Sequence, residues 1–288
     1  MFVYVISTVY LTKYMKSSPN VHNVTSLDLP GLQPYRTLRR PLEHIKEGIF
    51  VAEGEKVVRR LLDSPLTVVS VLVTEEWYKR LFHTEQPLFD IFIADKELLQ
   101  SIVGYNLHQG IMAVAKVPEQ QFLEVILRQM SEPYLFVALD GLVNAENVGV
   151  VVRNCAAFGV DAIIVGETSS SPYLRRAVRN SMGTVFQFPV VHTADLAGAL
   201  QSLQKTFHTN IIAAHPDEQS TIHNTNFMGN TCIVFGNEGE GISDKILKVC
   251  SSHVAIPMMN GTDSLNVASA SAVFLYEARK QRDTLAKV

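Results

Sequence analysis

Apolar and polar positions along the chain follow two alternating rhythms. Short, near-continuous apolar runs are each followed by a stretch whose apolar residues recur at helical spacing. From about Tyr35 onward the first half reads strand Phe50-Val51-Ala52, then a helix opened by Gly54-Glu55 and carrying Val57, Val58, Leu61 and Leu62. Strand Val68 to Val73, helix Glu75 to Phe82, strand Ile91 to Ala94 and helix Lys96 to Val103 follow. His108-Gln109-Gly110 then leads into strand Ile111 to Val117. The pattern predicts a small sandwiched sheet. Residues from Ser17 to Pro34 are rich in Ser, Asn, Pro and Gly and read as a loose lead-in.

The second half has the same rhythm with more deeply apolar strands. Tyr134 to Leu139 is an unbroken apolar run, as a parallel strand buried on both faces requires. Helix Asn147 to Phe158, strand Ala162 to Val165, helix Tyr173 to Ser181, strand Thr184 to Val191 and helix Ala194 to Phe207 come next. Strands Ile211 to Ala214 and Cys232 to Phe235, helix Ile242 to Val249, strand Val254 to Ile256 and a helix from Val267 to Tyr276 complete it. This is βαβ order throughout and predicts an open parallel sheet with helices on both faces. Between the halves, Pro118 to Pro133 is polar with a helical stripe of Phe122, Val125, Ile126 and Met130, and reads as a connector. The expected division is therefore lead-in 1–34, small α/β domain 35–117, linker 118–133 and main domain 134–288.

Composition narrows the classes. With 288 residues, 47% hydrophobic and 18% charged, the chain fits a globular protein of one or two domains. A net charge of −3 argues against indiscriminate coating of nucleic acid and leaves room for a local basic patch. The three cysteines, Cys155, Cys232 and Cys250, are widely spaced and read as buried apolar groups of a reducing compartment. Neither they nor the nine histidines show a metal-ligand spacing, so no metal is expected. The initial MFVYVISTVYLT is too short to span a bilayer and lacks a secretory n-region. It reads as an edge strand, a tail, or sequence ahead of a start at Met15, and a cytoplasmic protein is expected.

Candidate chemistry sits where strands end, which is where open α/β sheets bind ligands. Asn144-Ala145-Glu146-Asn147-Val148-Gly149, followed by Arg153, opens one helix, with Asn147 able to cap it. Phe235-Gly236-Asn237-Glu238-Gly239-Glu240-Gly241 ends a strand. Its glycines run in the reverse order of a dinucleotide fingerprint, which disfavours a nucleotide-dependent oxidoreductase. Its two carboxylates suit a cationic ligand such as a sulfonium. Ile256 to Val267, IPMMNGTDSLNV, brings Ser264 and Asn266 to a helix N-terminus. Taken singly, each motif reads equally as a capped helix or a glycine turn.

In this order, N-x-G-x-x-x-R, G-N-E-G-x-G and I-P-M…S-L-N-V resemble the SpoU/TrmH family of RNA 2′-O-ribose methyltransferases, of the SPOUT class. Arg179-Asn180-Ser181-Met182-Gly183 is similar to a further family segment. Residues from about Tyr35 to Val117 look like the small substrate-binding domain many members carry. Asn144-Ala145 stand where members often have Asp-Pro. The resemblance implies a trefoil-knotted methyltransferase domain acting as a homodimer, with S-adenosylmethionine as cofactor and RNA as substrate, ribosomal before transfer RNA. It implies Gly236, Ile256 and Leu265 at the cofactor and Asn147, Arg153, Glu238, Ser264 and Asn266 in the catalytic neighbourhood. An RNA track is expected at Arg175, Arg176 and Arg179 and, in the first domain, Arg39 and Arg40. The rival is a non-catalytic RNA-binding protein on the same fold.

Overall fold

A computed structural model describes residues 21–82, 87–103, 110–216 and 220–285. The expectations for the initial segment, Met15 and His108-Gln109 lie outside these residues. The chain divides into two compact units, the boundary falling between Lys116 and Val117.

The strands of the first unit are β1 (Val21–Asn23), β2 (Ile49–Glu53), β3 (Val68–Val73), β4 (Asp90–Ile93) and β5 (Ile111–Lys116). Its helices are α1 (Gln33–Arg36), α2 (Pro41–Glu47), α3 (Glu55–Leu62), α4 (Glu75–Leu81) and α5 (Lys96–Val103). The sheet order is β1-β4-β3-β5-β2, parallel from β1 to β3 and antiparallel at β3/β5 and β5/β2. Val51, Leu72, Phe92, Met112 and Val114 pack on Leu32, Tyr35, Leu38 and Leu99. The stretch expected to be a loose lead-in is therefore structured from residue 21 onward. Val21–Asn23 adds an edge strand on β4, and Val24 and Leu32 are buried in the core. A three-residue strand and isolated core leucines among Ser, Asn and Pro leave no periodic trace in the sequence.

The second unit begins with α6 (Leu123–Gln129), inside the expected connector. This helix buries Leu123, Ile126 and Leu127 against the main sheet, while Phe122 is 72% and Val125 47% exposed. Of the stripe expected there, Ile126 and Met130 do face the core, whereas Phe122 and Val125 turn outward and Leu123 and Leu127 take the inward i, i+4 positions. The strands are β6 (Leu135–Leu139), β7 (Ala162–Val165), β8 (Val190–His192), β9 (Asn210–Ala214), β10 (Ser220–Thr221), β11 (Thr231–Phe235) and β12 (Ser252–Ala255). Between them lie α7 (Ala145–Phe158), α8 (Arg175–Asn180), α9 (Leu196–Phe207) and α10 (Asp244–Leu247), and α11 (Val267–Leu285) ends the described chain. The predicted strand from Thr184 is a 3-10 turn at Thr184–Gln187, and pairing starts only at Val190. Gly183, at φ 78°, reverses the chain ahead of the turn.

All seven strands are parallel, in the order β10-β12-β9-β11-β6-β7-β8. Side-chain alternation splits each strand between two faces. Phe136, Ala138, Ile164, Cys232 and Val234 face α9 and α6. Val148, Val151 and Val152 of α7 and Phe274 and Leu275 of α11 are buried on the opposite side. β11 enters the sheet between β9 and β6, although β9 precedes it in the chain. β12 then adds beyond β9, and α11 returns across the sheet to pack on α7. Near the far end of α11, Arg282 donates to the carbonyls of Phe227, Pro133, Tyr134 and Gly229. That clasp ties the last helix to the amino ends of β6 and β11.

Candidate active site

The carboxyl ends of β6, β9, β11 and β12 carry the loops that form the site. After β6 the chain runs through Asp140 and Gly141 to Asn144, whose side chain caps α7 by accepting from Glu146 N (2.8 Å) and Asn147 N (3.4 Å). The cap expected of Asn147 is therefore made by Asn144, at a position where the family pattern departs. Asn147 lies inside the first turn, where its backbone N–H needs a partner and its side chain is free to reach elsewhere.

It reaches the loop after β11. Asn147 Nδ2 donates to Glu238 Oε1 at 2.6 Å, and Asn266 Nδ2 donates to Asn147 Oδ1 at 3.4 Å. Asn266 Oδ1 meanwhile accepts from Ala268 N at 2.9 Å, capping α11. These bonds orient both carboxamides, and the charged acceptor makes the Glu238 bond the strong member of the chain. Three motifs far apart in sequence are joined at one place.

The Glu238 loop is held by its neighbour Asn237, which sequence reasoning passed over. Asn237 Oδ1 accepts from Gly239 N (2.8 Å) and Glu240 N (3.1 Å), and Nδ2 donates to Gly141 O (2.8 Å). Its backbone exchanges two hydrogen bonds with Gly241. An Asn beside glycines is the available signal for such a side-chain-stapled turn. Gly236 is required because a Cβ there would lie 2.4 Å from the Gly241 carbonyl and Ile242 N. Asp140 Oδ2 accepts from Ser243 N at 2.7 Å and anchors the exit of the same loop.

Beside this chain of bonds, a cavity opens at the ends of β9 and β12. Ile256, Met258, Leu265 and Phe274 give it apolar walls, and His215, Asp263 and Ser264 give it polar ones. It therefore contains Ile256, Leu265 and Ser264 of the residues singled out above; Gly236 does not line it. Met258 and Asp263 lie within the third motif without having been singled out, and His215 carried no signal beyond its position after a strand end. The wall chemistry suits a ligand with a flat apolar part and a cationic centre, which Asp263 would face.

Arg153 stands apart. It is six residues beyond Asn147, about 240° further round the helix. Asn154, within about 20° of Asn147, faces α11 instead. Arg153 is exposed and on the side of Gly149, where a Cβ would meet Ala177 and Asn180 of α8 at 2.4–2.9 Å. α8 carries Arg175, Arg176 and Arg179, of which Arg176 pairs with Glu146 at 3.8 Å. Arg39 and Arg40 are exposed in the first unit, Arg40 paired with Glu43 at 3.1 Å. The thiols take no visible part: burial pushes Cys155 and Cys232 well up and Cys250 up to about 12. Among the described residues no cluster of His, Cys, Asp and Glu could hold a metal, and no helix is long and apolar enough to cross a membrane.

Residues 134–276 match the SpoU rRNA Methylase family. An uncharacterized tRNA/rRNA methyltransferase of Mycobacterium bovis is 30% identical over 274 residues, covering 90% of this chain and 91% of the relative. The 23S rRNA (guanosine-2′-O-)-methyltransferase RlmB of Pasteurella multocida is 31% identical over 195 residues, 67% of this chain and 79% of the relative. Among solved structures, an rRNA methyltransferase from Sinorhizobium meliloti superposes with a TM-score of 0.78 at 23% identity, covering 91% of this chain and 98% of that one. That likeness establishes a shared fold.

Proposed function

The chain belongs to the SpoU rRNA methylase family, and from that membership and the joined motifs we propose the following function. It transfers a methyl group from S-adenosylmethionine to a ribose 2′-hydroxyl of RNA, with ribosomal RNA as the substrate. The observation that carries the reading is the hydrogen-bonded chain Glu238–Asn147–Asn266 beside the Ile256–Leu265 cavity.

The bound cofactor supplies an electrophilic methyl on a sulfonium. Ile256 and Leu265 would enclose its adenosine, and Asp263 and the exposed Glu238 would offset its charge. The protein's own contribution is placement. Glu238, Asn147 and Asn266 offer oriented donors and acceptors where a 2′-hydroxyl must sit in line with the methyl–sulfur bond. The hydroxyl sheds its proton as the methyl moves. The guanidinium of Arg153 is suited to holding the adjacent phosphate and stabilising alkoxide character. Because Arg153 faces away from Asn147 on α7, a homodimer in which a second copy's Arg153 approaches this site is the arrangement that would complete it. A trefoil knot, which membership of this family implies, would hold the cavity loops together. The first unit would grip RNA, with Arg39 and Arg40 joining Arg175, Arg176 and Arg179. A cytoplasmic location fits this work.

The test is a map of ribose methylation across total RNA from cells with and without the gene, with Arg153→Ala as a second arm. Loss of one ribosomal 2′-O-methyl in both arms is expected. An unchanged map, with cofactor binding to the purified protein intact, would overturn the assignment.

A further inference from the structure

The Asn266–Asn147 bond is long at 3.4 Å and joins two side chains at the surface, so it is a weak determinant of where Asn266 sits. Something else must hold the start of α11 against α7. Two turns below Asn147, on the same stripe of α7, Asn154 points its amide into the α7–α11 seam. Its Nδ2 donates to Ala268 O at 2.8 Å and to Ser271 Oγ at 2.9 Å, using both N–H groups. Ser271 is fully buried, and its own hydroxyl donates to Ala268 O at 2.8 Å. Ala268 is the residue whose N–H is capped by Asn266. This half-buried group of bonds thus ends one hydrogen bond away from the residue that faces the site.

We infer that Asn154 is a positioning residue: its bonds to Ala268 and Ser271 set the register of α11 on α7, and with it the distance between Asn266 and the Asn147–Glu238 pair. The inference rests on the methyltransferase reading of that pair. A slip of one residue along α11 is a rise of about 1.5 Å, enough to break both Asn154 bonds and to carry Asn266 out of reach of Asn147. Asn154 lines neither the cavity nor the hydrogen-bonded chain at the site, and its two side-chain bonds both go to α11. The surrounding apolar contacts of Phe274 and Leu275 with the sheet secure the helix in its layer, but such contacts are not directional and tolerate small slides.

The experiment compares Asn154→Ser, Ser271→Asn and the double variant that exchanges amide and hydroxyl across the seam. Thermal unfolding and S-adenosylmethionine affinity are read for each. The side-chain amide resonances of Asn147 and Asn266 are followed by NMR, and kcat and KM for RNA are measured. Each single variant is expected to shift both amide resonances and, at saturating cofactor, to lower kcat about ten- to a hundredfold with KM for RNA near wild type. That is a larger effect than the loss of cofactor affinity that follows because α11 also carries Ala270 and Phe274 of the cavity. The exchange variant is expected to recover most of kcat. The inference is overturned if kcat is unchanged in the single variants. It is overturned equally if kcat falls only in step with cofactor affinity and unfolding temperature, or if the exchange restores stability without kcat. Should the wild-type protein itself methylate no RNA, the methyltransferase reading fails. The NMR arm still decides whether Asn154 places Asn266.

Discussion

Gly149 offers a test in which two physical effects predict opposite signs. It lies in the middle of α7, a 14-residue helix. On helix propensity alone, Gly149→Ala would stabilise the protein by about 1 kcal/mol. The packing says otherwise. A Cβ at position 149 would stand 2.4 Å from the Ala177 carbonyl oxygen, 2.8 Å from Asn180 Cβ and 2.9 Å from Ala177 Cα. The nearest approach is about 1 Å inside ordinary contact. Two of the three atoms are backbone, so no side chain can swing away and α8 must move off α7. Overpacking of this kind costs about 1–3 kcal/mol in a well-packed interior, and a clash with backbone belongs at the upper end. Offset by the propensity gain, the net expectation is a loss of about 1–2 kcal/mol, or a fall in Tm of about 2–8 °C for a domain of this size. Thermal and urea unfolding of wild type and Gly149→Ala would measure it, and Gly149→Val should be worse. A stabilised Gly149→Ala protein would refute the close approach of α7 and α8.

Arg282→Met keeps the aliphatic stem but leaves the carbonyls of Phe227, Pro133, Tyr134 and Gly229 without their donor. A loss of about 2–4 kcal/mol in urea titration is expected, and a change under about 0.5 kcal/mol would show the clasp to be idle. Burial holds the His192 imidazole below its ordinary value. Above the unfolded pKa both states are neutral and its contribution is fully present. As pH falls through about 6.5 the unfolded chain takes the proton first and stability drops, levelling off below the folded pKa. The difference in unfolding free energy between wild type and His192→Asn should therefore shrink on acidification; a flat or rising difference would contradict the burial. Arg176→Ala removes one candidate phosphate contact and should weaken RNA binding while flattening its log–log salt dependence by about one unit. Equal affinity at low and high salt for both proteins would remove Arg176 from the RNA track.

The chain's own order of residues determined a good deal. Unbroken apolar runs such as Tyr134 to Leu139 and Cys232 to Phe235 suit strands covered on both faces, so the parallel sheet was legible. The three strand-end motifs, read in order, identified the family. Local periodicity failed where the decisive contact was remote. Val21–Asn23 is a strand only because β4 offers it an edge, and α6 turns Leu123 rather than Phe122 inward because the sheet lies on that side. The cap of α7 fell to Asn144, the extended residue at which the helix starts, which leaves Asn147 in the first turn to reach Glu238, a residue 91 positions away.

Tertiary structure alone decided three things. It inserted β11 between β9 and β6, which no local pattern encodes, since every parallel strand reads alike. It gathered Asn147, Glu238 and Asn266 while setting Arg153 on another face of the same helix, a separation fixed by helical phase but meaningful only once α11 marks the site side. And it placed Asn154 against Ser271, giving a role to an asparagine that in sequence is merely the residue after a motif. The physical reason is common to all three. Sequence carries the period of an element and the chemistry of its residues, whereas the partner each face meets is chosen by packing among elements distant along the chain.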